Sequence, residues 1–199
     1  MIIYIEGVVG SGKTTLCEKV SSKLNIPIFY ELQSQETLEL LEEFYKDKKR
    51  WAFTLQVHFL NERFKMVKQV QEAGKGILDR SLFGDKIFAE MLYQDGFMND
   101  LEYNTYLSIL DTMLKQVDAP KLVVYIDCDL ETALERINGR NREMELSTPS
   151  IYWENLNKKY TEWYKDYNMS DTLTIGAKTY HPDNDEQINN IVSQISSKL

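Results

Sequence analysis

Eight residues near the start of the chain constrain its fold more than any other segment. Gly7-Val8-Val9-Gly10-Ser11-Gly12-Lys13-Thr14 matches the pattern GxxxxGK[ST] at every fixed position. The segment follows an apolar run at 2–6 and precedes a stretch of helical character at 13–24, which is the context the motif requires. Its glycines let backbone N–H groups converge on phosphate oxygens, while the lysine reaches the β- and γ-phosphates and the hydroxyl ligates Mg²⁺. The sequence therefore predicts a nucleoside triphosphate site formed by Gly7, Gly10, Ser11, Gly12, Lys13, Thr14 and Thr15.

Short apolar runs alternate with longer helical segments along the whole chain. The runs lie at 2–6, 27–31, 76–79, 121–127 and 173–175. Helical segments are predicted at 13–24, 37–48, 51–73, 84–94, 100–117, 130–138 and 150–167, followed by a last helix whose apolar stripe is Ile188, Ile191, Val192, Ile195 and Leu199. This alternation is typical of the α/β class, with a parallel sheet covered by helices on both faces. We therefore predict a P-loop NTPase-like, five-stranded parallel sheet in one domain spanning 1–199.

Composition excludes several classes of protein. The chain has 23 Lys and Arg against 31 Asp and Glu, a net charge of -8, which disfavours a general nucleic-acid binder. Its two cysteines, Cys17 and Cys128, form no disulfide framework. No apolar stretch approaches the length that spans a membrane. We expect a cytoplasmic protein with neither nucleic acid nor membrane as a partner.

Acidic residues end four of the five apolar runs. They are Glu6, Glu31, Asp79 and Asp127. Ligands of open α/β sheets bind beyond the carboxyl ends of the strands, so chemistry is expected there. We interpret Asp127 differently, as a cap for the helix that begins at Leu130.

Three arginines follow the fourth run. Arg136 and Arg140 share one helical face, and Arg142 lies just beyond Gly139. Guanidinium groups beside a flexible glycine suit a short arginine-rich lid, at about 136–148, that closes over phosphates and stabilises charge during transfer. The guanine-binding signature Asn-Lys-x-Asp is missing from the sequence, which argues against a GTPase switch.

Together, the phosphate loop, Asp79-Arg80-Ser81 and the arginine cluster resemble the deoxynucleoside kinase family over nearly the whole chain. The resemblance implies an enzyme of nucleotide salvage that transfers the γ-phosphate of ATP to the 5′-hydroxyl of a deoxynucleoside. It also implies Mg²⁺ as a cofactor and a homodimer.

The resemblance assigns catalytic roles to three residues. Glu31 matches the acid after the second strand, which accepts the proton of the 5′-hydroxyl, although Leu32-Gln33 replaces the usual Pro-Val after it. Arg80 bridges the 5′-oxygen and the transferring phosphoryl group. Asp79 is the expected partner of Mg²⁺ and a rival candidate for proton acceptor. Between Glu31 and Asp79 as proton acceptor the sequence does not decide.

Further residues match substrate-binding positions of the family. Gln56 corresponds to the glutamine that pairs with the base edge, and Tyr45 and Glu145 correspond to the pair that contacts the 3′-hydroxyl. Phe88 is a candidate for stacking on the base, with ordinary core packing as the alternative.

Arg63 and Asp85 carry the prediction of substrate. They match an Arg–Asp pair found near the base in cytosine- and purine-preferring members, where thymidine-preferring members have small or apolar residues. A buried polar pair discriminates against the 5-methyl group by space and desolvation. We therefore predict deoxyadenosine or deoxyguanosine as the favoured substrate, deoxycytidine as a further candidate and thymidine as a poor one. The alternative is a structural ion pair that reads no base.

Two other functions are compatible with part of the sequence. A thymidylate kinase shares the phosphate loop, an Asp-Arg motif and an arginine lid, but it commonly has an arginine just before the acid after the second strand. Ile28-Phe29-Tyr30-Glu31 offers no basic side chain there. The other alternative is a regulatory module that binds nucleotide without turnover, against which the intact Lys13, Thr14, Glu31 and Arg80 argue.

Overall fold

A five-stranded sheet forms the centre of the protein in the computed structural model, which describes residues 1–30, 34–140 and 148–199. Within these residues every strand pair is parallel, and the strand order is β2-β3-β1-β4-β5. The strands are β1 (Ile2–Glu6), β2 (Ile28–Phe29), β3 (Gly76–Asp79), β4 (Leu122–Asp127) and β5 (Asp171–Gly176). The predicted fold class is confirmed.

The central strand β1 explains why the sheet is buried on both sides. Ile3, Tyr4 and Ile5 are all fully buried, and successive side chains of a strand point to opposite faces. Ile3 and Ile5 accordingly pack in one apolar cluster, whereas Tyr4 packs in a second cluster on the other face. A strand covered on both faces must be apolar at nearly every position, as β1 is.

Helices cover both faces. They are α1 (Lys13–Leu24), α2 (Gln35–Lys46), α3 (Lys48–Ala73), α4 (Lys86–Gln94), α5 (Asp100–Leu114), α6 (Leu130–Gly139), α7 (Ser150–Asp166) and α8 (Asp185–Ser196), with a 3₁₀ turn at Leu82–Gly84 before α4. Gly74 ends α3 in the left-handed conformation at φ +69°, as expected of a helix-stopping glycine. None of the helices in the described ranges has the length and apolar character needed to cross a bilayer.

Several element boundaries differ from the predicted ones. Two helices begin early because a side chain caps them. α2 begins two residues early because the Ser34 hydroxyl accepts a hydrogen bond from the Thr37 N–H. α3 begins three residues early because the Asp47 carboxylate accepts one from the Arg50 N–H. β5 is longer than its apolar run, because all six of its residues pair with β4.

The prediction that Asp127 caps α6 is wrong. Asp127 is the last residue of β4, and its backbone carbonyl accepts the Ala177 N–H at 2.7 Å. Asp129 is the cap, since its Oδ1 accepts the Thr132 N–H at 3.0 Å. That backbone hydrogen bond and the ammonium of Lys178 lower the pKa of Asp129 to about 2.

This correction predicts a difference between two matched variants. Asp129→Ala should lower the melting temperature at neutral pH, whereas Asp127→Ala should change it little. A carboxyl whose pKa is depressed on folding adds stability above its unfolded pKa of about 3.9, and that stability is lost as the pH falls towards about 2. Thermal unfolding followed by circular dichroism should therefore show the gap between the variants narrowing from pH 5 to pH 3. Equal melting temperatures at neutral pH would contradict the cap.

Candidate active site

The phosphate loop joins β1 to α1 at the middle of the carboxyl edge of the sheet. Gly10 and Gly12 have φ of +83° and +98°, conformations that side chains disfavour. A Cβ on Gly10 would lie 2.6 Å from the carbonyl oxygen of Ala133 in α6. The loop therefore packs directly against α6. Position 10 requires glycine both because a side chain would clash with α6 and because its φ is positive.

Lys13 and its neighbours line this loop. The Nζ atom of Lys13 donates to the carbonyl oxygens of Gly7 and Val8, at 2.9 Å each, so the ammonium lies at the mouth of the loop. The buried Ser11 lies within the loop, and Thr15 is half-buried in the first turn of α1. This helix N-terminus and its ammonium favour an anion directly in front of them.

Thr14, in the first turn of α1, contacts Asp79, the last residue of β3. Thr14 Oγ1 donates to Asp79 Oδ2 at 2.5 Å. The other carboxylate oxygen, Asp79 Oδ1, is buried and has no hydrogen-bond partner among the described residues. Hard oxygen donors with one buried position open suit Mg²⁺, which takes few protein ligands and keeps waters and phosphate oxygens for the rest. The residues present therefore fit the metal.

Arg80 follows Asp79 with an unusual backbone. Its φ is +77°, and its N–H donates to the Ile5 carbonyl at 3.0 Å. Its guanidinium is held on two sides, since Nη1 donates to the Tyr160 hydroxyl at 2.7 Å and Cζ lies 5.3 Å from the centre of the Phe88 ring. Phe88 thus contacts the arginine, and no feature of the sequence indicated the contribution of Tyr160, which comes from α7.

A buried ion pair connects α3 to the start of α4. Arg63 Nε lies 2.7 Å from Asp85 Oδ1, and the two side chains are 5% and 10% exposed. The hydroxyl of Tyr106, in α5, is buried close enough for the Asp85 carboxylate to contribute to the raised pKa of this tyrosine, although burial is the larger cause. Gln56 is also buried, two turns before Arg63 on the same helix. The Arg63–Asp85 pair and the Tyr106 hydroxyl thus lie close together, and Gln56 is buried on the same helix as Arg63.

Tyr45 lies near the end of α2 and is 39% exposed. Its ring packs edge-on against that of Phe44, with the ring centres 5.4 Å apart. The role of Tyr45 at the 3′-hydroxyl stays a prediction from the sequence.

Two of the arginines predicted to form a lid lie in the described residues, and their surroundings differ. Arg136 donates from Nη1 to the Ser11 carbonyl at 2.7 Å and from Nη2 to the Ala177 carbonyl at 2.9 Å. It therefore connects α6 to the phosphate loop and to the segment after β5, a pair of contacts that sequence spacing did not indicate. Arg140 is exposed at the carboxyl end of α6. Arg142, Glu145 and Glu31 lie outside the described residues.

A protein-family model described as "Deoxynucleoside kinase" matches residues 3–199. The chain belongs to the deoxynucleoside kinase family. The family and the named relatives indicate that the chain is an ATP-dependent kinase. The family match supports a deoxynucleoside kinase over both a thymidylate kinase and a regulatory module that binds nucleotide without turnover.

Several relatives of this deoxynucleoside kinase are themselves named as kinases of particular deoxynucleosides. The deoxyadenosine/deoxycytidine kinase of Bacillus subtilis (strain 168) is 40% identical over 203 residues, covering 100% of this chain and 93% of the relative. The deoxyguanosine kinase of Lactobacillus johnsonii is 34% identical over 208 residues, covering 100% of this chain and 92% of the relative. A solved deoxyadenosine kinase from M. mycoides, with the products dCMP and a flexible dCDP bound, superposes with a TM-score of 0.86 at 33% identity over 99% of this chain and 100% of that one.

Proposed function

We propose that this deoxynucleoside kinase transfers the γ-phosphate of ATP to the 5′-hydroxyl of a purine deoxynucleoside, deoxyadenosine first, and accepts deoxycytidine as a further substrate. The observation that carries the proposal is the buried Arg63–Asp85 pair, with Nε and Oδ1 2.7 Å apart. Adenine and cytosine both present an exocyclic amino group that can donate a hydrogen bond to a carboxylate oxygen. The name of the Bacillus subtilis relative, a deoxyadenosine/deoxycytidine kinase, supports the same two substrates.

The triphosphate is held at the phosphate loop. Backbone N–H groups from Gly7 to Thr15 and the Lys13 ammonium bind the β- and γ-phosphates. Arg136, Arg140 and Arg142 neutralise phosphate charge from a lid at about 136–148. Thr14 and Asp79 hold Mg²⁺, which neutralises developing charge when it is bound.

Transfer proceeds by attack of the 5′-oxygen on the γ-phosphorus. The bond from phosphorus to the β–γ bridging oxygen breaks and ADP leaves, while the hydroxyl proton passes to a carboxylate, Glu31 or Asp79. Arg80 donates to the 5′-oxygen and to the phosphoryl group as it is transferred. The hydrogen bond from Arg80 Nη1 to the Tyr160 hydroxyl, at 2.7 Å, supports this role because it holds the guanidinium in place.

The nucleoside lies between α3 and α4. Gln56 pairs with the edge of the base, Phe88 packs beside it, and Tyr45 and Glu145 bind the 3′-hydroxyl. Desolvation of the Arg63–Asp85 pair excludes the 5-methyl group of thymine.

The decisive experiment measures phosphate transfer from ATP with Mg²⁺ to each of the four deoxynucleosides, with dTMP as a fifth acceptor. We expect transfer to deoxyadenosine first, then to deoxyguanosine or deoxycytidine, with thymidine the poorest nucleoside. Transfer to dTMP alone would mean a monophosphate kinase and would remove the roles given to Glu31 and Gln56.

Replacing the buried pair should change the choice of base. In the double variant Arg63→Met/Asp85→Ala, the ratio of kcat/KM for deoxyadenosine over thymidine should fall by about 10-fold or more, because a polar, filled space becomes apolar and open. The matched control is Lys159→Met/Glu90→Ala, which removes an ion pair of 2.9 Å between α7 and α4 and should leave the ratio unchanged. An unchanged ratio in the first variant would mean that the pair is only structural.

We further propose that residues 1–199 act as one kinase domain in a cytoplasmic homodimer, as the family resemblance implies. Light scattering of the purified protein measures the mass of the assembly directly, and a monomeric mass would contradict the dimer.

A further inference from the structure

We infer that Glu6, the last residue of β1, is a positioning residue that holds the backbone of Arg80 in its active conformation. The inference rests on the proposed function in one respect, the role of Arg80 in phosphoryl transfer. Glu6 is 1% exposed, and its Oε1 accepts the Ser81 N–H at 2.6 Å. A side chain enclosed in this way cannot reach a substrate, so its effect must pass through the residues it touches.

The backbone of Arg80 needs such support. At φ +77° it is one of only two non-glycine residues with positive φ in the described ranges, the other being Asn25. This conformation is unfavourable for an arginine and persists only where the surroundings determine it. The conformation also decides where the guanidinium points, because it sets the direction of the Cα–Cβ bond.

Two neighbouring residues of β1 hold the peptide groups on either side of Arg80. The carbonyl of Ile5 accepts the Arg80 N–H at 3.0 Å, which extends the pairing of β1 with β3 by one residue. The carboxyl of Glu6 accepts the next N–H along the chain, that of Ser81. The chain turns away from the sheet between these two hydrogen bonds, so a side-chain acceptor replaces the backbone acceptor that a regular strand would have provided.

The following 3₁₀ turn encloses the carboxyl of Glu6. A Cβ on Gly84 would lie 3.1 Å from Glu6 Oε1, so the turn passes close to this oxygen. The Ser81 hydroxyl accepts the Gly84 N–H at 3.3 Å, and Trp163 Nε1 donates to the Phe83 carbonyl at 3.0 Å. The turn is thus fastened to α7 on one side and to Glu6 on the other.

Stability alone does not explain a carboxyl at this position. Burial raises the pKa of Glu6, and Oε2 has no hydrogen-bond partner among the described residues. A buried carboxyl is unfavourable compared with an apolar side chain of similar volume. What the Glu6 carboxyl provides, and an apolar side chain could not, is an acceptor for the Ser81 N–H.

The test compares Glu6→Met, which keeps the length of the side chain and removes the acceptor, with Glu6→Gln, which keeps an acceptor. We expect Glu6→Met to lower kcat by about 100-fold with KM for ATP changed little, because displacement of a reacting group by about 1 Å costs that much. Glu6→Gln should recover most of that loss. Hydrogen exchange of the Ser81 amide, followed by NMR, should be slow in the natural protein and in Glu6→Gln and fast in Glu6→Met.

A double-mutant cycle shows whether the effect passes through Arg80. In an Arg80→Ala background, Glu6→Met should lower kcat no further, because the group it positions is already gone. Equal losses with and without Arg80, or slow exchange of the Ser81 amide in Glu6→Met, would overturn the inference.

Two further results keep the test decisive. If Glu6→Met fails to fold, Gly84→Ala decides, since its added methyl group would lie 3.1 Å from Glu6 Oε1 and the carboxyl must shift by a few tenths of an ångström to make room. A folded Gly84→Ala protein in which both kcat and the exchange of the Ser81 amide are unchanged would then overturn the inference. If the natural protein phosphorylates no deoxynucleoside, the proposed function fails, whereas the exchange of the Ser81 amide still tests whether Glu6 holds this backbone.

Discussion

Replacing Lys13 with alanine is expected to remove nearly all phosphate transfer while leaving the fold intact. The ammonium of Lys13 already lies at the phosphate loop, 2.9 Å from the carbonyl oxygens of Gly7 and Val8, and in the proposed mechanism it stabilises charge that grows as the γ-phosphoryl group moves. Loss of one such preorganised donor lowers kcat by about 10²- to 10³-fold in other enzymes. Steady-state assays with deoxyadenosine and ATP measure this loss.

Lys19 provides the matched control for this prediction. It lies on the same helix, 3.7 Å from Asp183 and 40% exposed, so Lys19→Ala should change neither kcat nor KM for ATP appreciably. Circular dichroism of both variants checks that each is folded. Substantial kinase activity in a folded Lys13→Ala protein would refute the assignment of the phosphate loop.

Replacing Arg80 with alanine is the second substitution expected to remove nearly all kinase activity. Its guanidinium is fixed by Tyr160 and Phe88 before any substrate arrives, so its contribution to the transition state needs no reorganisation. An arginine that stabilises phosphoryl transfer contributes about 10³- to 10⁵-fold to kcat. We expect kcat to fall by about 10³-fold, with KM for ATP within a few-fold of the natural value.

Arg50 is the control for Arg80. It stacks on the Trp51 ring at 4.6 Å on the exposed side of α3, and Arg50→Ala should leave kcat unchanged. A loss confined to KM in Arg80→Ala would show that Arg80 binds substrate without stabilising the transition state.

The parts of the fold that the sequence predicted are those with local signals. The phosphate-loop motif predicted β1 and α1 to the residue, because the chain must turn there and glycines permit it. The starts of α2 and α3 were predicted too late, because the capping side chains of Ser34 and Asp47 begin each helix before its first apolar residues. Asp127 and Asp129 are two residues apart, and only the end of the pairing between β4 and β5 decides which of them is free to cap α6.

The site divides in the same way. The phosphate-loop motif predicted Thr14 as a ligand of Mg²⁺ and the family resemblance predicted Asp79, and the structure brings the two side chains into contact. The contacts of Tyr160 with Arg80 and of Arg136 with Ala177 join residues that are 80 and 41 positions apart, which no local pattern records. The roles assigned to Glu31, Arg142 and Glu145 stay predictions from sequence, since they fall outside the described residues.

The buried pair of Arg63 and Asp85 has a consequence for how such an enzyme diverges. Breaking a buried ion pair by removing one partner typically costs about 3–5 kcal/mol, a large share of the roughly 5–15 kcal/mol that keeps a protein folded. A lineage that exchanges these residues one at a time must therefore pass through a poorly folded ancestor. Natural drift at either position is blocked unless stabilising substitutions accumulate elsewhere first, so the two sites are expected to change together or not at all.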